Sequence, residues 1–301
     1  MRNYSQFIQD DRFVIFLFHG VIIQQAHRVR NYTKKHLQCD RFVSILRDLC
    51  VHGTPVSMSD VVDATCGKLV LPNRSFVLTF DDGFENNHSI VAPILKDFGV
   101  PATFYITTDF IDSNKPSWID MIEYAVENRQ KFELRLPLIG ISGKYETDQE
   151  KIFLLDEIRQ LVKNNNKLDP YEVASEVWAQ LKVENFVPDP ELDQKMNWEQ
   201  VRELSQDKMF TIGGHSHTHP ILEYLSQSEL ENEINVSMEK LEEQLGYFVK
   251  HYSYPEGLEN CYSDRVINVL KQRGIVCAPS AIHGTNCIGD DLFHLKRIMV
   301  L

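Results

Sequence analysis

At 301 residues, with 43% hydrophobic and 10% aromatic content, the chain can bury a full core, and one α/β domain spanning 1–301 is the expectation. A balance of 31 basic against 43 acidic residues, formally −12, excludes the profile of a polyanion binder, so no nucleic-acid partner is expected and a neutral or cationic substrate fits better. Six cysteines, Cys39, Cys50, Cys66, Cys261, Cys277 and Cys287, form no C-x-x-C pair, which argues against a structural zinc site and reads as reduced thiols.

Along the chain, the segment up to Asp11 is polar and carries acids. No basic region leads into an apolar run there, so no secretory signal is read and a cytoplasmic location is expected. Phe13–Phe18 is strand-like, too short to span a bilayer, and ends in His19-Gly20. Asp40 is placed as the cap of a helix whose Phe42, Ile45, Leu46 and Leu49 form one stripe before Gly53. Phe76–Phe80 delivers Asp81-Asp82 into Gly83. A helix from Asn87 to Phe98 then runs to Gly99-Val-Pro101, and Ala102–Ile106 is the next strand.

From about 128 to 195 the rhythm breaks. A hairpin-like pair, Phe132–Leu136 and Lys144–Glu146, precedes helical stretches near 152–162 and 171–181, with Asn164-Asn165-Asn166 and Pro188-Asp-Pro190 as punctuation, and this segment reads as an insertion. Phe210–Gly213 resumes the pattern and ends in His215-Ser-His-Thr-His219. Ser226–Gly246 follows as a helix with Leu230, Ile234, Met238, Leu241 and Leu245 on its stripe, its glutamates read as a solvated face. Tyr252–Tyr254, Ile275–Ala278 and Leu295–Leu301 complete seven apolar runs. The alternation predicts an α/β fold, a mainly parallel sheet or barrel with helices outside, and no segment of membrane-spanning length.

In such a fold the C-terminal strand ends converge on one face, and His19, Asp81, Asp82, His215 and Tyr254 all sit at such ends. A lone Asp-Asp-Gly is most often a solvated turn; paired with a histidine cluster at a matching strand end, it points to a metal site. Consecutive residues leave a strand in different directions, so one aspartate can ligate a metal while the other accepts a proton. One carboxylate and two imidazoles leave open positions on a zinc-type ion for water and substrate.

Thr79-Phe-Asp-Asp-Gly83 and His215-Ser-His-Thr-His219 resemble the first two signature motifs of the polysaccharide deacetylases, the carbohydrate esterase family 4 or NodB-homology group. Pro101-Ala-Thr-Phe104, Trp118–Ile122, Asn197-Trp-Glu-Gln-Val201 and Tyr252-Ser-Tyr-Pro-Glu-Gly257 extend the resemblance from about Phe13 to Val300, much of the insertion excepted. It implies a distorted (β/α)7-type barrel and one divalent metal, usually zinc, with cobalt, nickel, iron or manganese as alternatives. The implied reaction removes an acetyl group from an amino sugar. Carried over, Asp82, His215 and His219 become the metal ligands and Asp81 the general base, with His217 in a loop or supporting role.

Two departures stand out. Ser253 occupies the position where the third motif of the family carries a base-orienting arginine, and Arg297 is the candidate replacement. The C-terminal Leu-x-His that supplies the acid is missing, with His283 and His294 only nearby. His19, in Phe16-Leu-Phe-His-Gly20, resembles the acid histidine of the poly-N-acetylglucosamine deacetylase branch and is preferred. A backbone amide near Tyr254–Glu256 is the expected oxyanion donor, and Trp118 and Trp198 are candidates for sugar stacking and equally for the core. The expected partner is an acetylated amino sugar as glycan, lipid-linked saccharide or sugar nucleotide. Two alternatives stand beside this: a deformylase or cyclic-amide hydrolase with the same site, and a glycan-binding protein with weakened catalysis.

Overall fold

Phe13–Phe18 and Ser75–Phe80 are buried at every position, the signature of parallel strands covered on both faces. They pair in parallel register from Phe13 with Ser75 to Phe18 with Phe80. Ala102–Ile106 joins on one side, followed by Phe210–Gly214, and Ile298–Met299 joins on the other. Single parallel bridges, Gly214 with Tyr252 and His251 with Cys277, carry the ladder onward. Ser280 N to Leu295 O (2.8 Å) and Arg297 N to Ile282 O (2.9 Å) bring it back to the last strand. All seven apolar runs therefore contribute to one closed ring, the distorted (β/α) barrel expected. Pro255 and Pro279 lack an N–H, consistent with the last runs contributing bridges rather than full ladders.

The structure, a computed structural model, describes residues 3–24 and 26–301. The barrel belongs to a compact unit made of residues up to Ile23, Lys35–Asn114 and Gln194–Leu301. Strand alternation sorts its interior. Even-numbered residues such as Phe16, Leu78, Phe80, Phe104 and Ile212 join the main apolar cluster with Phe42, Leu46 and Leu49 of the helix Cys39–His52 and Leu230, Ile234 and Met238 of the helix Gln227–Leu245. Odd-numbered Phe13, Ile15, Val77 and Leu295 instead pack with Val56, Met58 and Val61. That second alternation continues upward through Thr79 to Asp81.

Asp40 is not a cap: Gln38 holds that position without a side-chain bond, and Asp40 lies in the first turn. Ser226 does cap its helix, in a box with Glu229, and Gly246 ends it at φ 75°. Among the described residues no helix is long and apolar enough to cross a membrane.

A second compact unit comprises Gln24–Lys34 and Lys115–Asp193. It holds residues 128–193 of the segment read as an insertion, with the hairpin Phe132–Leu136 and Ile141–Tyr145 and the helices Asp148–Lys163 and Pro170–Gln180, and extends it on the N-terminal side, while Gln194 and Lys195 belong to the barrel unit. The helix Trp118–Glu127 belongs here because Ile122, Ala125 and Val126 share a core with Leu154, Ile158, Val173 and Val177. Residues 24–34 join through Glu127, whose carboxylate accepts from the backbone N–H groups of Arg28, Val29 and Arg30. Trp118 is half-buried and packs against this unit's core, in line with the core alternative to sugar stacking for this residue.

Candidate active site

The second barrel strand ends in a turn that separates the two aspartates. Asp81 keeps the strand alternation, its N–H donating to Phe18 O at 3.0 Å, and faces the interior with Thr79. Asp82 has φ 78°, a left-handed conformation that re-aims its side chain.

Asp81, 3% exposed, meets Arg297, 1% exposed, in a two-pronged contact: Nη1 donates to Oδ1 at 2.9 Å and Nη2 to Oδ2 at 2.8 Å. The rest of the guanidinium is also engaged. It donates to Ser280 O (2.6 Å), Thr79 Oγ1 (3.2 Å) and Ser253 Oγ (2.9 Å). Ser253, standing where the family carries its arginine, thus accepts from an arginine that comes from another strand. Burial pushes the Asp81 carboxyl up, but Arg297 and the nearby His215 outweigh it and hold it below its ordinary value.

Asp82, His215 and His219 each point a donor atom at a common space, the atoms lying within 4.8 Å of one another. Asp82 Oδ1 is 3.4 Å from His219 Nε2 and 3.6 Å from His215 Nε2, and it is buried without a hydrogen-bond partner. Those separations match the edge, about 3.4 Å, of a tetrahedron whose ligands sit about 2.1 Å from a zinc-type centre. An orphaned carboxylate oxygen between two imidazoles fits a cation. Burial pushes Asp82 up, yet the surrounding histidines hold it well below the carboxylate range.

The histidines are prepared from behind. His215 Nδ1 is 2.8 Å from Ser253 O, and since a carbonyl only accepts, Nδ1 carries the hydrogen and Nε2 offers its lone pair toward Asp82. His215 N donates to Ile106 O, and Thr107 Oγ1 donates to His215 O. Burial lowers the pKa of His215, favouring the neutral imidazole a metal needs. His219 stacks near-parallel on Phe110 with ring centres 6.0 Å apart. Gly213 and Gly214 feed this loop because a Cβ there would lie 2.5 Å from the Tyr105 ring and 2.8 Å from Met238 Sδ and the Tyr252 ring.

His19 follows Phe18, the register partner of Phe80, so it stands beside Asp81 at adjacent strand ends. Burial pushes its pKa down to about 4 against the opposing pull of Asp82 and Asp81. His217, between His215 and His219, bonds Thr108 Oγ1 through Nδ1 at 2.9 Å. His294 and His283 are exposed; His294 meets the Tyr262 hydroxyl at 3.4 Å, and His283 packs edge-on against Phe7.

The Tyr254 side chain belongs to the packing, and the oxyanion role expected of a backbone amide near Tyr254–Glu256 does not depend on it. The Tyr254 ring is fully buried, stacked on Tyr262 at 4.0 Å, and its hydroxyl donates to Phe293 O at 3.0 Å. Glu256 lies half-buried at φ 59° in the turn before Gly257. Trp198 donates its indole N–H to Asp112 at 2.8 Å and packs against the barrel core. The sequence reading missed Glu233, taken as part of a solvated face: it is 8% exposed and accepts from the backbone N–H groups of His217 and Thr218. The available signal was its position three residues after Leu230 and next to Ile234, on the apolar stripe.

A parallel barrel with two adjacent acids and two histidines at its strand ends has the layout of a metal-assisted hydrolase. The polysaccharide deacetylase family profile matches residues 68–137 and 178–278, more than half of the chain, and the chain belongs to that family. It is similar to the poly-beta-1,6-N-acetyl-D-glucosamine N-deacetylase of Escherichia coli (strain K12), at 37% identity over 59 residues, 20% of this chain and only 9% of that protein. Among solved structures, the Streptococcus pyogenes deacetylase PplD in complex with acetate superposes with a TM-score of 0.63 at 15% identity, covering 97% of this chain and 94% of that one. IcaB from Ammonifex degensii gives 0.60 at 15% identity, over 97% and 93%. At these identities the two structures bear on the fold, which they share with this chain.

Proposed function

We propose that this polysaccharide deacetylase is a divalent-metal-dependent enzyme that removes the N-acetyl group from a glucosamine-containing glycan or its precursor. The observation that carries the reading is the convergence of Asp82, His215 and His219 on one point beside the Arg297-clamped Asp81. Asp82, His215 and His219 would hold the ion, zinc being the first choice for one carboxylate and two imidazoles. When bound, such an ion supplies Lewis acidity and an acidified water.

The chain's own groups do the rest. Asp81 takes a proton from the attacking water, and Arg297 fixes the carboxylate plane so that the base is ionised and aimed. His19, its pKa pushed down to about 4, enters the cycle neutral. In this reading the proton it delivers to the departing amine nitrogen is the one Asp81 removed, passed between adjacent strand ends. Water's oxygen ends in acetate, the C–N bond breaks, and the nitrogen leaves as a free amine.

The Arg297 contact also favours this reading over a binding protein that has lost catalysis, since it answers one of the two grounds for that alternative, the missing motif arginine, the other being the missing C-terminal histidine. The substrate class rests on the family and on the substrate in the name of the E. coli relative. The test is acetate release from N-acetylglucosamine oligosaccharides and from UDP-N-acetylglucosamine, with formylated analogues alongside. Asp81→Asn is expected to abolish turnover with metal retained, and His215→Ala to lose the metal. If Asp81→Asn keeps most of the activity, the base assignment is wrong.

A further inference from the structure

The segment joining the two histidine ligands adopts an unusual path, with Ser216 at φ 64° and His219 at φ 63°. Neither is glycine, so the surroundings must hold them there. Two elements do so. On one side, Thr108 N donates to Ser216 O, Asp109 N to His217 O, and Thr108 Oγ1 pairs with His217 Nδ1. On the other, Glu233 reaches from the middle of the helix Gln227–Leu245. Its Oε1 accepts from His217 N at 2.8 Å, from Thr218 N at 2.5 Å and from Thr218 Oγ1 at 3.2 Å.

A buried carboxylate on the apolar stripe of a helix is a poor choice for stability, where a leucine would serve. Its hydrogen-bond partners all belong to His217 and Thr218, the residues between the ligands. Backbone N–H groups at that bend fix the direction in which His215 and His219 leave it. Ser216 Oγ, accepting from His219 N at 2.9 Å, closes the same bend from within.

We propose that Glu233 is a positioning residue that pre-sets the His215–His219 spacing for a divalent ion by holding the His217–Thr218 backbone; this rests on the metal-dependent reading above. Reach, rather than charge, is the requirement. Glu233→Gln keeps the length and an acceptor oxygen, whereas Glu233→Asp keeps the charge and withdraws the acceptor by one methylene.

The experiment measures zinc affinity of the full chain by competition with a chromophoric chelator, with cobalt absorption as a report on ligand geometry and a melting curve for each variant. Glu233→Asp is expected to weaken zinc binding about 10–100-fold, the range for lost supporting contacts around a metal, and to alter the cobalt spectrum. Glu233→Gln is expected to stay within about threefold of wild type, in line with that same range not being reached. Wild-type zinc affinity in Glu233→Asp overturns the proposal, as does a lowered melting temperature in both variants with unchanged affinity. If the wild-type protein itself takes up no metal, the metal-dependent reading falls and this role with it; wild-type uptake with an unaffected Glu233→Asp removes only the role of Glu233.

Discussion

Replacing Arg297 with alanine breaks the most heavily bonded contact in the site. The guanidinium makes two bonds to Asp81 and one each to Thr79, Ser253 and Ser280, all in a region with 1% exposure for its own side chain and 5% for that of Asp81. Removing one partner of such a buried pair costs about 3–5 kcal/mol, because the carboxylate left behind is desolvated and unpaired. For a chain of this size that corresponds to a fall in Tm of about 5–8 °C. Loss of the cation also lets burial dominate at Asp81, so its pKa rises from its depressed value. The acid limb of kcat/KM for acetate release is expected to move to higher pH. The stability difference has a matching sign: a depressed carboxyl stabilises above its unfolded pKa, near 3.9, and that contribution is lost as pH falls through the folded value. Wild type and Arg297→Ala should differ fully at neutral pH and converge in acid. Arg297→Lys keeps the charge but loses the fork and should fall between them. A pH–rate profile and a melting curve that both match wild type within error would refute the clamp as the device that sets Asp81.

Other outcomes follow from the same geometry. Asp81→Asn should lower acetate release by about 10²–10⁴-fold, the range for a lost general base, while metal analysis finds the wild-type stoichiometry. His251 is buried with Nδ1 unpartnered, and burial pushes its pKa down to about 4. It is neutral when folded, so its contribution to stability is intact above pH 6.5 and is lost as pH falls from 6.5 toward 4, by about 3 kcal/mol at 1.36 kcal/mol per unit. Denaturant titrations should show His251→Asn with a shallower loss over that window; equal slopes would contradict the assignment. Gly214→Ala places a methyl 2.8 Å from Met238 Sδ and the Tyr252 ring, and should destabilise by about 1–3 kcal/mol with weaker zinc uptake, read by melting and chelator competition.

The candidate ligands and base were legible because each motif is contiguous: a strand run followed by Asp81-Asp82-Gly83, and another followed by His215-Ser-His-Thr-His219, locate their own positions at strand ends. Arg297 was legible as a candidate only through the gap at Ser253, and the structure joins the two in one contact. The direction of the Tyr254 ring was not legible, since its place at a strand end does not fix it and packing on Tyr262 does; the expected oxyanion role belongs to a backbone amide nearby. Glu233 stayed hidden because a glutamate in a glutamate-rich helix gives no sign that its partner is a backbone segment 15 residues earlier. The helix Trp118–Glu127 escaped the insertion for a related reason: its apolar stripe would suit either core, and only its neighbours Leu154 and Val173 assign it.

The most direct measurement is acetate release from N-acetylglucosamine oligosaccharides by the full chain, stripped with a chelator and then reloaded with zinc. Release lost on stripping and restored on reloading is the expected result. Undiminished release from the metal-free protein, or none from the zinc-loaded one, would contradict a metal-dependent deacetylase built on Asp81, Asp82, His215 and His219.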